Sequence, residues 1–223
     1  MTPKEQRPNA PGRPPDPAID RALVRAVRRL LEHEGLAAVT MQRVALEAGV
    51  SKVTVYRRFA DRQALLEAVV AHDAEHVNRA LLAPPRSAAD VPRRLEAYVV
   101  DLAAFLSGPG HRRYVQVLAA LPPTGRDARI IWQRGPARGL AALASFLRAA
   151  HAAGHLRCFA PLESAELLLG MALGLDLVRS MYRVPLGRLR VQARQAHASR
   201  VVDLFMRLYA PRGDAPRCSA EEG

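Results

Sequence analysis

The sequence has few of the residues that build sheets. Its 223 residues include 3 isoleucines, 4 threonines and 11 aromatics, whereas strands favour β-branched and aromatic side chains. Alanine (40 residues) and leucine dominate instead, and both are strong helix formers. The 20 valines soften that reading without reversing it, so an all-α fold of about nine helices is expected. Two cysteines, Cys158 and Cys218, are too few for a disulfide framework or a cysteine-built zinc site. No N-terminal apolar segment is present, and the longest apolar run, Leu167 to Leu175, has nine residues. A bilayer span needs roughly 20, so a soluble, cytoplasmic protein with no membrane partner is expected. Lysine is nearly missing too: only Lys4 and Lys52 accompany 31 arginines. With the alanine excess, this resembles a composition bias as much as a selected surface. The net charge of +12 fits nucleic acid, anionic lipid or acidic ligands and chooses none of them.

Catalytic signatures are missing as well. There is no G-x-S-x-G, no phosphate-cradling glycine loop, no H-E-x-x-H and no evident Cys–His pairing. No enzyme and no cofactor are expected. The pairs His72/His76 and His151/His155 have helical i, i+4 spacing, but zinc takes three or four ligands and neither pair has a convincing third. They read as surface histidines, with no metal.

What is present is a series of helix start and stop signals. Residues 1–16 hold five prolines among Lys4, Arg7 and Arg13 and are expected to form a flexible basic arm. Asp16-Pro17 then opens a helix carrying Ile19, Leu23, Val27, Leu30 and Leu31, closed by Gly35. Thr40 can cap a helix over 41–48, with Val39 and Val44 as a hydrophobic staple, and Gly49 ends it. Two residues later Ser51 can cap a third helix over 52–59, stapled by Val50 and Val55. Asp61 starts a fourth. Two short stapled helices joined across one glycine must cross steeply, which is the sequence form of a helix-turn-helix.

The second helix of such a unit enters the DNA major groove. Val55 and Phe59 face inward, so the opposite face offers Lys52, Val53, Thr54 and Arg57 to base edges. Tyr56 and Arg58 flank it toward the backbone, and Thr40 and Arg62 sit at helix N-termini that favour phosphate. Residues 40–62 carry a net +3, while Pro185 to Arg212 carries +5. The charge of the whole chain therefore does not mark the reading segment; caps and spacing do.

The pattern Thr40-x-x-x-Val44-Ala45-x-x-Ala48-Gly49-Val50-Ser51-x-x-Thr54-Val55-Tyr56-x-x-Phe59, followed by Leu65, closely resembles the DNA-binding segment of the TetR family of bacterial repressors. The segment from His197 to Met206 resembles the AefR-like subgroup. The resemblance implies base contacts from Lys52, Val53, Thr54 and Arg57, and backbone contacts from Thr40, Gln42, Tyr56, Arg58 and Arg62. Arg58 stands where many members have His or Tyr, and Arg62 where many have Lys.

Further helices are expected near 88–106, 111–121, 127–153 (kinked at Pro136), 162–182 and 185–209. The last two, eighth and ninth by this count, are the natural dimerising element. Gly170 and Gly174, four apart, would admit a neighbouring helix, and Val201 and Phe205 are candidate interface residues. The resemblance implies a two-fold four-helix bundle there and a small-molecule pocket in each C-terminal domain. Tyr98, Phe105, Tyr114, Trp132 and Phe146 are its candidate lining, suited to a hydrophobic or aromatic ligand that is otherwise unidentified. The expected organisation is an arm (1–16), a DNA-binding domain (17–77), a ligand-binding and dimerisation domain (78–210) and a flexible tail (211–223). The expected function is a homodimeric repressor on a palindromic operator in double-stranded DNA, released by a small molecule. The alternative is a ligand-independent architectural or activating DNA-binding protein.

Overall fold

The computed structural model describes residues 17–108, 111, 125–182, 184 and 190–211. The basic arm with Arg7 and Arg13, the helix expected near 111–121 with Tyr114, the start of the last helix at 185–189, and the tail with Cys218 lie outside the described residues. The fold is all-α, with no strand among the described residues.

Four helices build the N-terminal head. α1 (Pro17–His33), α2 (Met41–Ala48), α3 (Lys52–Arg58) and α4 (Arg62–Asn78) follow one another with minimal loops. The starts of α2, α3 and α4 are each fixed by a side chain that accepts a backbone N–H. Thr40 accepts from Arg43 at 3.2 Å, Ser51 from Thr54 at 3.1 Å, and Asp61 from Ala64 at 2.8 Å. Caps of this kind contribute about 1 kcal/mol each. Gly49 closes α2 in the left-handed conformation, φ 68°, where a Cβ is penalised. Val39, Val44 and Val55 are fully buried, and Val50 packs against the same core from a half-buried position. Both staples therefore dock the short helices onto Leu23, Val27 and Leu30 of α1 and Leu65 and Val69 of α4.

α4 does not end with the head. Its first half, through Val69, belongs to the head core, while Val77 belongs to a second, larger core. That core is built by α5 (Asp90–Ser107), α7 (Pro136–Ala152), α8 (Pro161–Leu173) and α10 (Val191–Tyr209), with α6 (Arg126–Arg134) packed against α4. Arg94 of α5 fastens the exit of α4: its guanidinium donates to the carbonyls of Ala80 (2.6 Å), Ala83 (2.5 Å) and Pro84 (2.9 Å) and lies over the Phe146 ring.

Two long helices expected from the sequence are each divided. The stretch 127–153 is not one kinked helix: α6 and α7 are separate, broken at Gly135, with Pro136 as the first residue of α7. The break brings the chain close to α4, because a Cβ on Gly135 would meet Val70 Cγ1 at 3.0 Å. The stretch 162–182 is also not one helix. Gly174, at φ 49° and ψ −132°, ends α8, and the short α9 (Asp176–Met181) follows.

Candidate nucleic-acid interface and ligand cavity

α3 buries Val55 and turns its other faces to solvent. Val53 is 76% exposed and Tyr56 is 56% exposed, unusual values for apolar and aromatic side chains on a well-packed helix. Lys52 and Arg57 are exposed beside them. Lys52 Nζ donates to Gln42 Oε1 at 2.9 Å, which places those two polar groups together where α2 meets α3. Thr54 is half-buried, its hydroxyl 2.9 Å from that of Ser51. The Thr40 hydroxyl accepts the capping N–H, which leaves its own proton to donate outward. Leu46 on α2, 77% exposed, is a further apolar group on the head surface that sequence patterning did not single out.

Two arginines expected to reach phosphate are turned inward. Arg58 Nη1 donates to both carboxylate oxygens of Asp20 at 2.9 Å, and its side chain is only 11% exposed. Arg62 Nη2 donates to the Leu36 carbonyl at 3.0 Å. Both positions join elements of the head. Arg29 with Glu47 and Arg43 with Glu34 form further bridges across it.

A cavity of about 450 Å³ opens behind the head, inside the second core. Its floor is the second half of α4, from Val70 to Asn78, and its walls come from α5, the α6–α7 junction and α8–α9. The lining is overwhelmingly apolar. Tyr98, Phe105 and Trp132 line it, as the sequence suggested. Phe146 does not: it is fully buried in the neighbouring core under Arg94. Burial raises the Tyr98 hydroxyl well above the usual phenol range, so it stays protonated. Burial also pushes the His111 imidazole down to about 4, which keeps it neutral at pH 7. Of the two carboxylates at the cavity, Asp73 is paired with Arg28 of α1 and Glu166 is exposed to water. Asn78 was not anticipated. It is 5% exposed, lines the cavity, and its Oδ1 has no hydrogen-bond partner.

The interface residues proposed from the sequence separate in the same way. Val201 and Phe205 belong to the core of their own chain, so they offer no surface to a partner. Gly174 ends a helix rather than lining a helix contact. Gly170 is exposed, with open space where a Cβ would stand. Apolar groups left open on or between α8, α9 and α10 include Leu162, Leu167, Leu175, Val178, Leu204 and Leu208.

The histidine pairs hold no ligand set, and no cluster of three metal-ligating side chains occurs among the described residues. His151 Nδ1 lies 3.1 Å from the Leu156 carbonyl, where it organises the turn before α8. Cys158 is a buried free thiol. No helix among the described residues is long and apolar enough to cross a membrane.

Comparison with known proteins gives concordant matches for both halves. Residues 23–69 match the bacterial regulatory proteins of the tetR family, and residues 93–211 match the AefR-like transcriptional repressor C-terminal domain. Among solved structures, a protein from Mesorhizobium loti assigned to the TetR family is 24% identical, with a TM-score of 0.67 over 87% of this chain and 98% of that one. The flavonoid-responsive regulator FrrA is 25% identical, with a TM-score of 0.63 over 89% and 100%. A TetR transcriptional regulator from Agrobacterium tumefaciens is 22% identical, with a TM-score of 0.70 over 87% and 95%. No curated protein matches the chain.

Proposed function

The chain belongs to the TetR family of bacterial regulatory proteins, and we propose that it is a homodimeric repressor that holds a palindromic operator and releases it when an apolar small molecule fills the cavity. Family membership makes it a DNA-binding transcriptional regulator and not an enzyme. Repression, the palindrome and release by a ligand are the proposal. The observation that carries it is the double role of α4, whose first half packs into the reading head while its second half floors the cavity. A molecule that fits one placement of α4 better than another shifts the population of head positions by its difference in affinity.

In this reading residues 17–77 read DNA, with Lys52, Val53, Thr54 and Arg57 toward bases and Thr40, Gln42 and Tyr56 toward the backbone. Residues 78–210 hold the ligand and the partner. One head covers too few base pairs to be selective, so two act together on half-sites about 34–36 Å apart. The exposed leucines of α8 and α10 support a second copy as the partner there. FrrA responds to flavonoids, which favours an aromatic ligand for this chain as well. A regulator of this kind works where the chromosome is, in the cytoplasm.

The test is a release titration. Protein bound to a selected duplex is followed by fluorescence anisotropy as aromatic and aliphatic compounds are added. Release by a compound that leaves the protein folded is expected. A complex indifferent to compounds that calorimetry shows entering the cavity would support the ligand-independent architectural or activating alternative instead.

A further inference from the structure

Besides His111, Asp73 and Glu166, the polar groups of the described cavity lining gather where α4, α5 and α7 meet. Asn78 comes from α4, Tyr98 from α5 and Gly139 from α7. A Cβ on Gly139 would stand 3.6 Å from Asn78 Oδ1 and 4.0 Å from the Tyr98 hydroxyl, so both polar atoms border the space that the missing side chain leaves. Asn78 is 5% exposed and its Oδ1 accepts nothing. An unpaired buried acceptor is costly, and native proteins rarely keep one without a use.

We propose that the cavity selects an uncharged, mainly apolar molecule bearing a hydroxyl group, phenolic or alcoholic, whose O–H donates to Asn78 Oδ1. The inference rests on the cavity being the effector site and names the chemistry of what it takes. A hydroxyl fits because it donates and accepts at once: it donates to Asn78 Oδ1 and accepts a hydrogen bond from the Tyr98 hydroxyl, which burial keeps un-ionised. An ether or ketone only accepts and leaves Oδ1 bare. A cation finds no buried unpaired carboxylate in the described lining, since Asp73 is paired with Arg28 and Glu166 is exposed to water. A carboxylate would lose its hydration in a mainly apolar wall whose lining histidine, His111, is kept neutral by burial.

The experiment compares naphthalene with 2-naphthol by titration calorimetry at neutral pH, on the full chain and on two variants. N78L replaces the amide by an apolar group of similar size. G139A adds a methyl at ordinary contact distance inside a helix, so the fold tolerates it while the methyl covers the amide. Wild type should bind both compounds, with naphthol about tenfold tighter, the worth of one well-placed hydrogen bond. N78L should bind both about equally, with naphthalene affinity retained. G139A should lose the preference while melting no lower than wild type. Equal affinities in wild type, or an undiminished naphthol preference in N78L, overturn the role of Asn78 while leaving the cavity reading intact. No binding of either compound to any form overturns the cavity reading itself.

Discussion

Arg58 and Asp20 tie the last turn of the reading helix to the first turn of α1, with one guanidinium nitrogen 2.9 Å from each carboxylate oxygen. The contact removes a cation from the reading face and makes it a strut. D20A or R58A should therefore lower stability by about 1 kcal/mol, the scale of a partly exposed, well-aligned ion pair. Urea unfolding measures it. Y56A/R57A, by contrast, should unfold like wild type yet weaken operator binding by roughly 100-fold, since a base-reading arginine contributes about 1–3 kcal/mol in each of two protomers. Unimpaired binding by the double variant would remove α3 from the interface.

The inward turn of Arg58 and Arg62 also sets the salt dependence. Lys52 and Arg57, the exposed cations of α3, displace counterions from the groove even where they meet base edges, giving four such charges in the proposed dimer. Log affinity should then fall with log salt at a slope of about −3.6, and R57A should reduce it to about −1.8. Anisotropy titrations between low and physiological salt read both values. A slope that R57A leaves unchanged would mean that other cations displace the counterions.

The turn between the two short helices depends on Gly49. A Cβ there meets nothing within 4 Å, so the cost of G49A is conformational alone, about 1–2 kcal/mol from φ 68°. G49N should lose less, because asparagine enters the left-handed region more readily. Thermal unfolding of the two variants tests the order, and equal melting temperatures would contradict it.

Acid should weaken the protein in two separable steps. His111 is pushed down to about 4 by burial, so below pH 6.5 the unfolded chain takes a proton that the folded one refuses. Its share of stability is full above pH 6.5 and falls as pH drops toward 4. Asp90 is held at about 2, first by the hydrogen bond from Arg93 and then by the Arg86 backbone N–H. Its share is full above about pH 4 and is lost as pH falls through about 2. Difference curves of wild type against H111F and against D90N should therefore slope in different windows, 6.5 to 4 and 4 to 2. Denaturant titrations across pH check both, and flat difference curves would contradict the two assignments.

The head was legible in the sequence because its determinants are local. Thr40, Ser51 and Asp61 cap helices through atoms three residues away, and each staple closes within five or six residues. The inward turn of Arg58 was not legible, since its partner lies 38 residues earlier and an arginine reads alike whether it faces phosphate or carboxylate. The long helices failed for a related reason. The break at Gly135 brings the chain so close to α4 that a Cβ there would meet Val70 at 3.0 Å, a fact of packing that periodicity does not carry. Val201 and Phe205 sit on the apolar stripe of α10, and a stripe marks burial without saying in whose core. Asn78 gave no signal at all: one amide in a helix gains meaning only from the apolar wall around it.

In the proposed complex two heads grip DNA together through α3. Selection of bound duplexes from a random pool by the full-length protein tests it most directly. Enrichment of an inverted repeat with half-sites about one helical turn apart, lost with Y56A/R57A, is expected. Failure to enrich any sequence, or enrichment of a single half-site without dyad symmetry, would contradict it.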